Sequence, residues 1–230
     1  MPKITIAIDG HSSTGKSTVA RQLADYLDYL FVDTGAMYRA VTLFALRKGY
    51  ISENHFDQAG LIEALSQVEL EFVKNEEGVS EIHLNGENVE KAIRTLEVSE
   101  FVSPVSTISE VRKKLVEQQR KLDKGQGLVM DGRDIGTVVF PKAQLKIFMT
   151  AAPEVRARRR YDELTARGHQ LSFEEVFENV MERDRIDSTR EDSPLRKAAD
   201  AIEMDNSETN QEDQFHIILQ LAKDRIAGRI

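Results

Sequence analysis

Five short apolar runs punctuate the chain: Ile4–Asp9, Leu30–Asp33, Leu128–Asp131, Leu145–Met149 and Ala201–Met204. Each is continuous rather than alternating, the pattern of strands buried on both faces of a parallel sheet. Helical periodicity separates most of them, the alternation that builds α/β layers. Ser17–Leu27 puts Val19, Leu23 and Leu27 on one face, and Tyr38–Lys48 does the same with Val41, Ala45 and Leu46. Near the end, Phe215, Ile218, Leu221 and Ala222 form the inward stripe of a closing helix. The prediction is an α/β fold of three layers around a five-stranded parallel sheet. Residues from Met1 to Asp9 already read as a strand, so no cleavable leader is expected ahead of it.

Two stretches depart from the alternation. Val68–Lys74 and Val79–Asn85 are strand-like and joined by the turn residues Asn75-Glu76-Glu77-Gly78. Glu69 and Glu71 alternate there with Leu70 and Phe72, which suits a sheet with one wet face. Residues 66–101 therefore read as an antiparallel insertion, although the pattern suits an ordinary surface hairpin equally well. The second stretch, 156–190, gathers Arg156, Arg158, Arg159, Arg160, Arg167, Arg183, Arg185 and Arg190. Within it Ser172 followed by Glu175 is a capping box that predicts a helix running to about Asp187.

Composition narrows the function classes. The 230 residues suffice for one domain with a small insertion. Lys+Arg 31 against Asp+Glu 39 gives a net charge of −8, which argues against nucleic-acid polymers and anionic membranes as partners. Cys 0 excludes disulfides, zinc–thiolate sites, iron–sulfur clusters and thiol catalysis. No apolar run approaches the roughly 18–20 residues of a membrane helix. The default expectation is a cytoplasmic monomer.

Gly10-His11-Ser12-Ser13-Thr14-Gly15-Lys16-Ser17 matches G-x-x-x-x-G-K-[ST] between a strand and a helix, with Thr18 next in the helix. Gly10 and Gly15 allow successive N–H groups to converge on a phosphate, helped by the partial positive charge of the helix N-terminus. Lys16 can bridge β- and γ-phosphates, and the Ser17 hydroxyl can ligate Mg²⁺. Asp131 closes a strand and is either a second oxygen donor for Mg²⁺, direct or through water, or a turn residue.

A phosphate loop names the donor, not the reaction. Arg39, one turn into the helix after Asp33-Thr34-Gly35-Ala36-Met37-Tyr38, suits a second phosphate. Arg133 and Asp134 stand at the carboxyl end of the third strand, where ligands of open parallel sheets bind. The helix after Ser172 carries an apolar stripe of Phe173, Val176, Phe177, Val180 and Met181. Asp187 continues that stripe, with Arg183 and Arg190 at helical spacing beside it. Such a set is either a solvated face or the wall of a polar cleft, and its place near the inward face favours the cleft.

Together these residues resemble the bacterial cytidylate kinases, within the nucleoside monophosphate kinases. The resemblance covers essentially the whole chain. It is carried by Gly10–Thr18, Asp33–Arg39, Ile93-Arg94-Thr95, Ser103, Arg112, Glu182-Arg183-Asp184 and, most specifically, Asp131-Gly132-Arg133-Asp134-Ile135-Gly136-Thr137-Val138-Val139-Phe140-Pro141. It implies one P-loop kinase domain: a core of about 1–65, 102–155 and 191–230, a monophosphate-binding insert of about 66–101 and a helical lid of about 156–190. It implies that Gly10, His11, Ser12, Ser13, Thr14, Gly15, Lys16, Ser17 and Thr18 hold ATP. Thr34 and Tyr38 would line the acceptor pocket, while Arg39 and Arg133 hold the CMP phosphate. Ser103, Arg112 and Asp134 would read the cytosine edge, and Arg183, Asp187 and Arg190 would meet the acceptor's sugar and phosphate. Arg156, Arg159 and Arg160 match lid arginines that close over the donor. Two departures stand out. Thr34 replaces the Ser of many members, and Ile186 and Ser188 interrupt a charge-rich run.

The implied reaction moves the γ-phosphoryl of ATP to CMP or dCMP with Mg²⁺ as cofactor. Alignment and charge neutralisation by Lys16, Arg133, Arg159 and Arg160 do the work, because the attacking phosphate oxygen is already anionic. Rival readings are a GTP-hydrolysing switch, a non-catalytic nucleotide sensor and a kinase for another small acceptor. No Asn-Lys-x-Asp string supports the first, and a second arginine group argues against the sensor. His11, His55, His83, His169 and His216 show no metal-ligand spacing and receive no catalytic role.

Overall fold

The computed structural model describes residues 2–229, so Met1, the first residue of the opening strand-like run, lies outside the described residues. Two compact units emerge. One comprises the residues up to Phe31 together with those from Asp123 onward, and the other is Val32–Leu122.

The chain begins with β1 (Thr5–Gly10), α1 (Lys16–Leu27) and β2 (Leu30–Asp33). It continues through α2 (Thr34–Arg47), β3 (Ile51–Ser52), β4 (His55–Phe56), α3 (Gln58–Ala64), β5 (Leu70–Lys74), β6 (Ser80–Leu84) and β7 (Glu87–Asn88). Then come α4 (Leu96–Ser106), α5 (Ser109–Leu122), β8 (Leu128–Gly132), a π-helical turn at Ile135–Val139 and β9 (Leu145–Thr150). The series closes with α6 (Pro153–Ala166), α7 (Phe173–Thr189), β10 (Ile202–Asp205) and α8 (Gln211–Ile226).

All five apolar runs are strands of one sheet, in the order β10-β9-β1-β8-β2. β1 is central, with Ile8 beside Asp131 of β8 and Ile147 of β9 in parallel register. Ile6, Ile8, Val129, Leu145 and Ile147 pack with Val19 and Leu23 of α1 and Ile218 and Leu219 of α8 in one buried cluster. Burial of each such side chain contributes about 1.5–3 kcal/mol. The continuous burial read for β10 is not what the structure shows. As an edge strand it half-buries Ile202 and Met204 and turns Glu203 and Asp205 outward.

In the second unit, the expected hairpin forms with Leu70 opposite Leu84 and Lys74 opposite Ser80, and β7 adds a third antiparallel strand. Its turn is built as the residues dictate. The Asn75 side-chain oxygen accepts from the N–H groups of Glu77 and Val79, and Gly78 takes the left-handed φ of 80°. Ile82 and Leu84 face the unit's interior with Val89 and Ile93, while β6 packs on α2, which also meets α4.

Candidate active site

The loop between β1 and α1 is shaped by its two glycines. A Cβ at Gly10 would run into the Met149 carbonyl of the adjacent strand, and Gly15 adopts a left-handed φ of 84° to start α1. Lys16 curls back so that its Nζ donates to the His11 carbonyl at 3.0 Å, and the Thr14 hydroxyl donates to the same oxygen at 3.1 Å. The Ser12 hydroxyl is buried with no hydrogen-bond partner among the described residues, a polar atom left over for a ligand. Ser17 opens the helix, and its Oγ donates to Asp131 Oδ2 at 2.7 Å. A hydroxyl beside a buried carboxylate is the hard oxygen set that Mg²⁺ takes, so these residues fit that cation.

The end of β8 is held by a residue the sequence reading left without a role. Asp9, only 5 % exposed, accepts from the N–H groups of Ile135 and Gly136, each at 2.7 Å. These bonds pin the π-helical turn immediately after Arg133 and Asp134. Burial pushes the Asp9 carboxyl up to about 6 even though both backbone bonds pull it down.

Arg133 turns to α7, where its Nε donates to Asp187 Oδ2 at 2.7 Å, and Arg190 Nη1 reaches Asp187 Oδ1 at 3.4 Å. Burial alone would raise the Asp187 carboxyl, but Arg133 and Arg190 outweigh it and hold it below the usual carboxylate range. Arg183 is half-buried and contributes to that pull electrostatically. Arg190 arrives from just beyond the helix end rather than from another helical turn, and it also grips the Ser193 carbonyl. The polar cleft wall is thus built around Asp187. Its stripe is Val176, Val180, Asp184 and Asp187, while Met181 is turned outward.

Of the four arginines on α6, the three matched to the lid are placed very differently. Arg156 is buried, with Nε donating to the Ala151 carbonyl, Nη1 near the Ser12 carbonyl at 3.4 Å and Nη2 paired with Asp184 at 2.6 Å. Asp184 also approaches His11 Nδ1 at 3.2 Å. Burial raises the Asp184 carboxyl, but His11 and Arg156 more than offset this. Arg159 reaches Asn206, the residue after β10, while Arg160 pairs with Glu163 on its own helix. Arg159 and Asn206 line a cleft of about 180 Å³ with Thr14, Gly15, Thr18 and Gln22.

The second unit holds the other candidates. Asp33 caps α2 by accepting from Ala36 N at 3.0 Å, and it draws in Arg94 at 3.3 Å and Arg39 at 3.8 Å. Thr34 is buried as the first residue of α2. Arg112 of α5 lies 5.4 Å from the Tyr38 ring centroid and donates to the Ser106 carbonyl at 3.1 Å, one turn beyond buried Ser103. Tyr38, Ser103 and Arg112 are therefore gathered on α2, α4 and α5.

A family model for cytidylate kinases matches residues 6–224. This chain belongs to the cytidylate kinase family. Cytidylate kinase of Flavobacterium johnsoniae is 60 % identical over 225 residues, covering 97 % of this chain and 98 % of its own. That of Parabacteroides distasonis is 54 % identical over 221 residues, covering 96 % of each chain. Among solved structures, an uncharacterized protein from Eubacterium ventriosum superposes with a TM-score of 0.51 at 9 % identity, covering 96 % of this chain and 99 % of that one. The last likeness concerns the fold alone.

In this cytidylate kinase family member, sequence reasoning gave no role to Asp9, Asp184, Asn206 or Arg94. Two of these carried a readable signal. Asp9 is a carboxylate closing an apolar strand, and Asp184 falls four residues after Val180 on the inward stripe. Asn206 carried none. Among the described residues no helix is long and apolar enough to cross a membrane.

Proposed function

We propose that this kinase moves the γ-phosphoryl group of ATP to the 5′-phosphate of CMP or dCMP, giving ADP and CDP or dCDP. The observation that carries this reading is a phosphate loop with buried Lys16 and the Ser17–Asp131 pair, in a chain whose cytidylate kinase relatives match nearly its full length. Backbone N–H groups of Gly10–Thr18 and the start of α1 orient the donor phosphates. Ser17 and Asp131 would hold Mg²⁺, which when bound would supply positive charge against the donor phosphates. Among the described residues no cluster of three or more His, Asp or Glu is arranged to hold a metal. The proposed site therefore rests on two protein oxygens, completed by phosphate and water.

No general base is needed, since a phosphate monoester is already anionic near pH 7. Repulsion between two polyanions is what must be overcome. Lys16 neutralises the donor, Arg39 and Arg133 bind the acceptor phosphate, and Arg159 and Arg160 stabilise charge on the group in flight. Asp187 keeps Arg133 oriented at 2.7 Å, so the acceptor pays little entropy to order it. We assign Thr34 and Tyr38 to the acceptor pocket, and Ser103, Arg112 and Asp134 to the cytosine edge. The carboxylate of Asp134 accepts from the exocyclic amine of cytosine and meets the O4 of uracil without a proton between them. Such a mismatch costs on the order of 10²- to 10⁴-fold in specificity.

The test is ADP release with ATP, Mg²⁺ and each of CMP, dCMP, UMP, AMP and GMP. CMP and dCMP are expected to be turned over at least tenfold more efficiently than the rest. Saturation with ATP and no CDP from CMP would discard the reading, and preference for another monophosphate would correct the acceptor.

A further inference from the structure

We propose that Asn206 is the donor-side positioning residue of this enzyme, a neutral amide that fixes the Arg159 guanidinium at the phosphate-loop cleft without cancelling its charge. The proposal rests on the kinase reading above and adds to it a residue outside every motif.

The geometry is specific. Asn206 is 1 % exposed and sits at the end of β10, where its own N–H donates to the Thr150 carbonyl at 2.9 Å. Its Nδ2 donates both to the Thr14 carbonyl in the phosphate loop, at 2.6 Å, and to Gln214 Oε1 of α8, at 2.7 Å. With both donor positions used, the amide orientation is set and Oδ1 is left to face α6. There Arg159 Nη1 donates to Oδ1 at 3.2 Å, and Nη2 donates to the Asn206 backbone carbonyl at 2.9 Å. One buried residue thus ties the loop, α8 and an α6 arginine together, and with Thr14, Gly15 and Thr18 it lines the cleft of about 180 Å³.

The chemistry of the holder matters more than the number of bonds. Arg133 and Arg190 share Asp187, Arg156 is paired with Asp184, and Arg160 with Glu163. Their charges are compensated by carboxylates. Among the described residues no carboxylate lies within ion-pairing distance of Arg159, whose partners are both neutral carbonyl oxygens of Asn206. Burial without an anion even lowers the Arg159 pKa from its ordinary value. A guanidinium fixed but uncompensated, on a cleft shared with the phosphate loop, is preorganised for an external anion such as the polyphosphate of a nucleoside triphosphate. A carboxylate in place of the amide would still accept from the fork, but it would lower the positive potential that an incoming anion meets there and would give up the two donations from Nδ2.

The experiment is steady-state kinetics on the full chain for wild type, Asn206→Asp, Asn206→Ala, Arg159→Ala and the Asn206→Ala/Arg159→Ala double variant, varying ATP and CMP separately. Thermal melts accompany each protein. Asn206→Asp is expected to melt as a folded protein and to lose at least about tenfold in kcat/KM for ATP, with the KM for CMP within twofold. The double variant should be no slower than Arg159→Ala alone within about twofold, because the two residues act as one unit. Wild-type kinetics in Asn206→Asp, or independent multiplicative losses in the double variant, would overturn the proposal. Loss of fold in the near-isosteric Asn206→Asp would overturn it as well, since the residue's work would then lie in the scaffold. If Asn206→Ala alone fails to fold, the cycle is run with Asn206→Asp against Arg159→Ala under the same criterion. Wild-type turnover of CMP in the same assay tests the kinase reading separately.

Discussion

Asp9 and Asp187 are both buried carboxylates, yet their titrations run in opposite directions. Asp187 is held low because Arg133 and Arg190 favour its charged form, so its contribution to stability is present above the unfolded carboxyl pKa and fades as pH falls through the lower folded one. Among the described residues Asp9 has only neutral N–H donors at bonding distance, and burial lifts it from 3.8 to about 6. The folded protein therefore binds that proton more tightly than the unfolded chain, and Asp9 weakens the fold progressively from about pH 4 to about pH 6. Relative to wild type, Asp9→Asn should gain about 3 kcal/mol in urea unfolding free energy between pH 4 and pH 7. A pH-independent difference between the two proteins would refute the assignment. Two substitutions test site residues that the phosphate-loop motif and the family resemblance single out. Lys16→Ala should lower kcat by at least about a hundredfold while leaving the melting curve intact. Asp134→Ala should erase CMP-over-UMP preference, measured as the ratio of kcat/KM values; an unchanged ratio would remove Asp134 from base recognition.

Elements were readable wherever the signal was local. The hairpin of β5 and β6 announces itself through alternation and the Asn75-Glu76-Glu77-Gly78 turn, and α7 through the Ser172–Glu175 box. Both halves of that box are present: Glu175 N donates to Ser172 Oγ at 3.2 Å, and Ser172 N donates to Glu175 Oε2 at 2.7 Å. Ser172→Ala should cost about 1 kcal/mol in chemical denaturation, and a neutral result would mean the first turn frays in solution. The phosphate loop was equally plain, because a strand, two glycines and a helix lie within one contiguous segment. What stayed hidden depends on contacts distant in sequence. Asn206 meets Thr14 across 192 positions, and Asp9 meets Gly136 across 127, so no periodicity or spacing rule reaches them. The arginines of α6 show the same limit. Arg156, Arg159 and Arg160 read as one cationic group, but burial against Asp184, a neutral amide and a helical Glu163 gives them three separate situations.

At the scale of the molecule, the second unit is one continuous stretch, while the first is assembled from both ends of the chain. The central strand β1 has only β8 and β9 as neighbours, and Thr5 meets Leu128 about 120 residues further along. Closing so large a loop before any sheet contact forms is slow compared with local helix formation. After dilution from urea, far-UV circular dichroism should therefore recover in an earlier phase than catalytic competence. Coincident recovery of the two signals would rule this out. The same topology bears on synthesis in the cell. The strand and loop proposed to hold the nucleotide are translated before the second unit, yet the lateral partners of β1 emerge only after that unit is complete. The central strand therefore waits for neighbours translated long after it, and a polypeptide truncated before Leu145 leaves Ile6 and Ile8 with one flank unpaired, a ready target for chaperones and proteases.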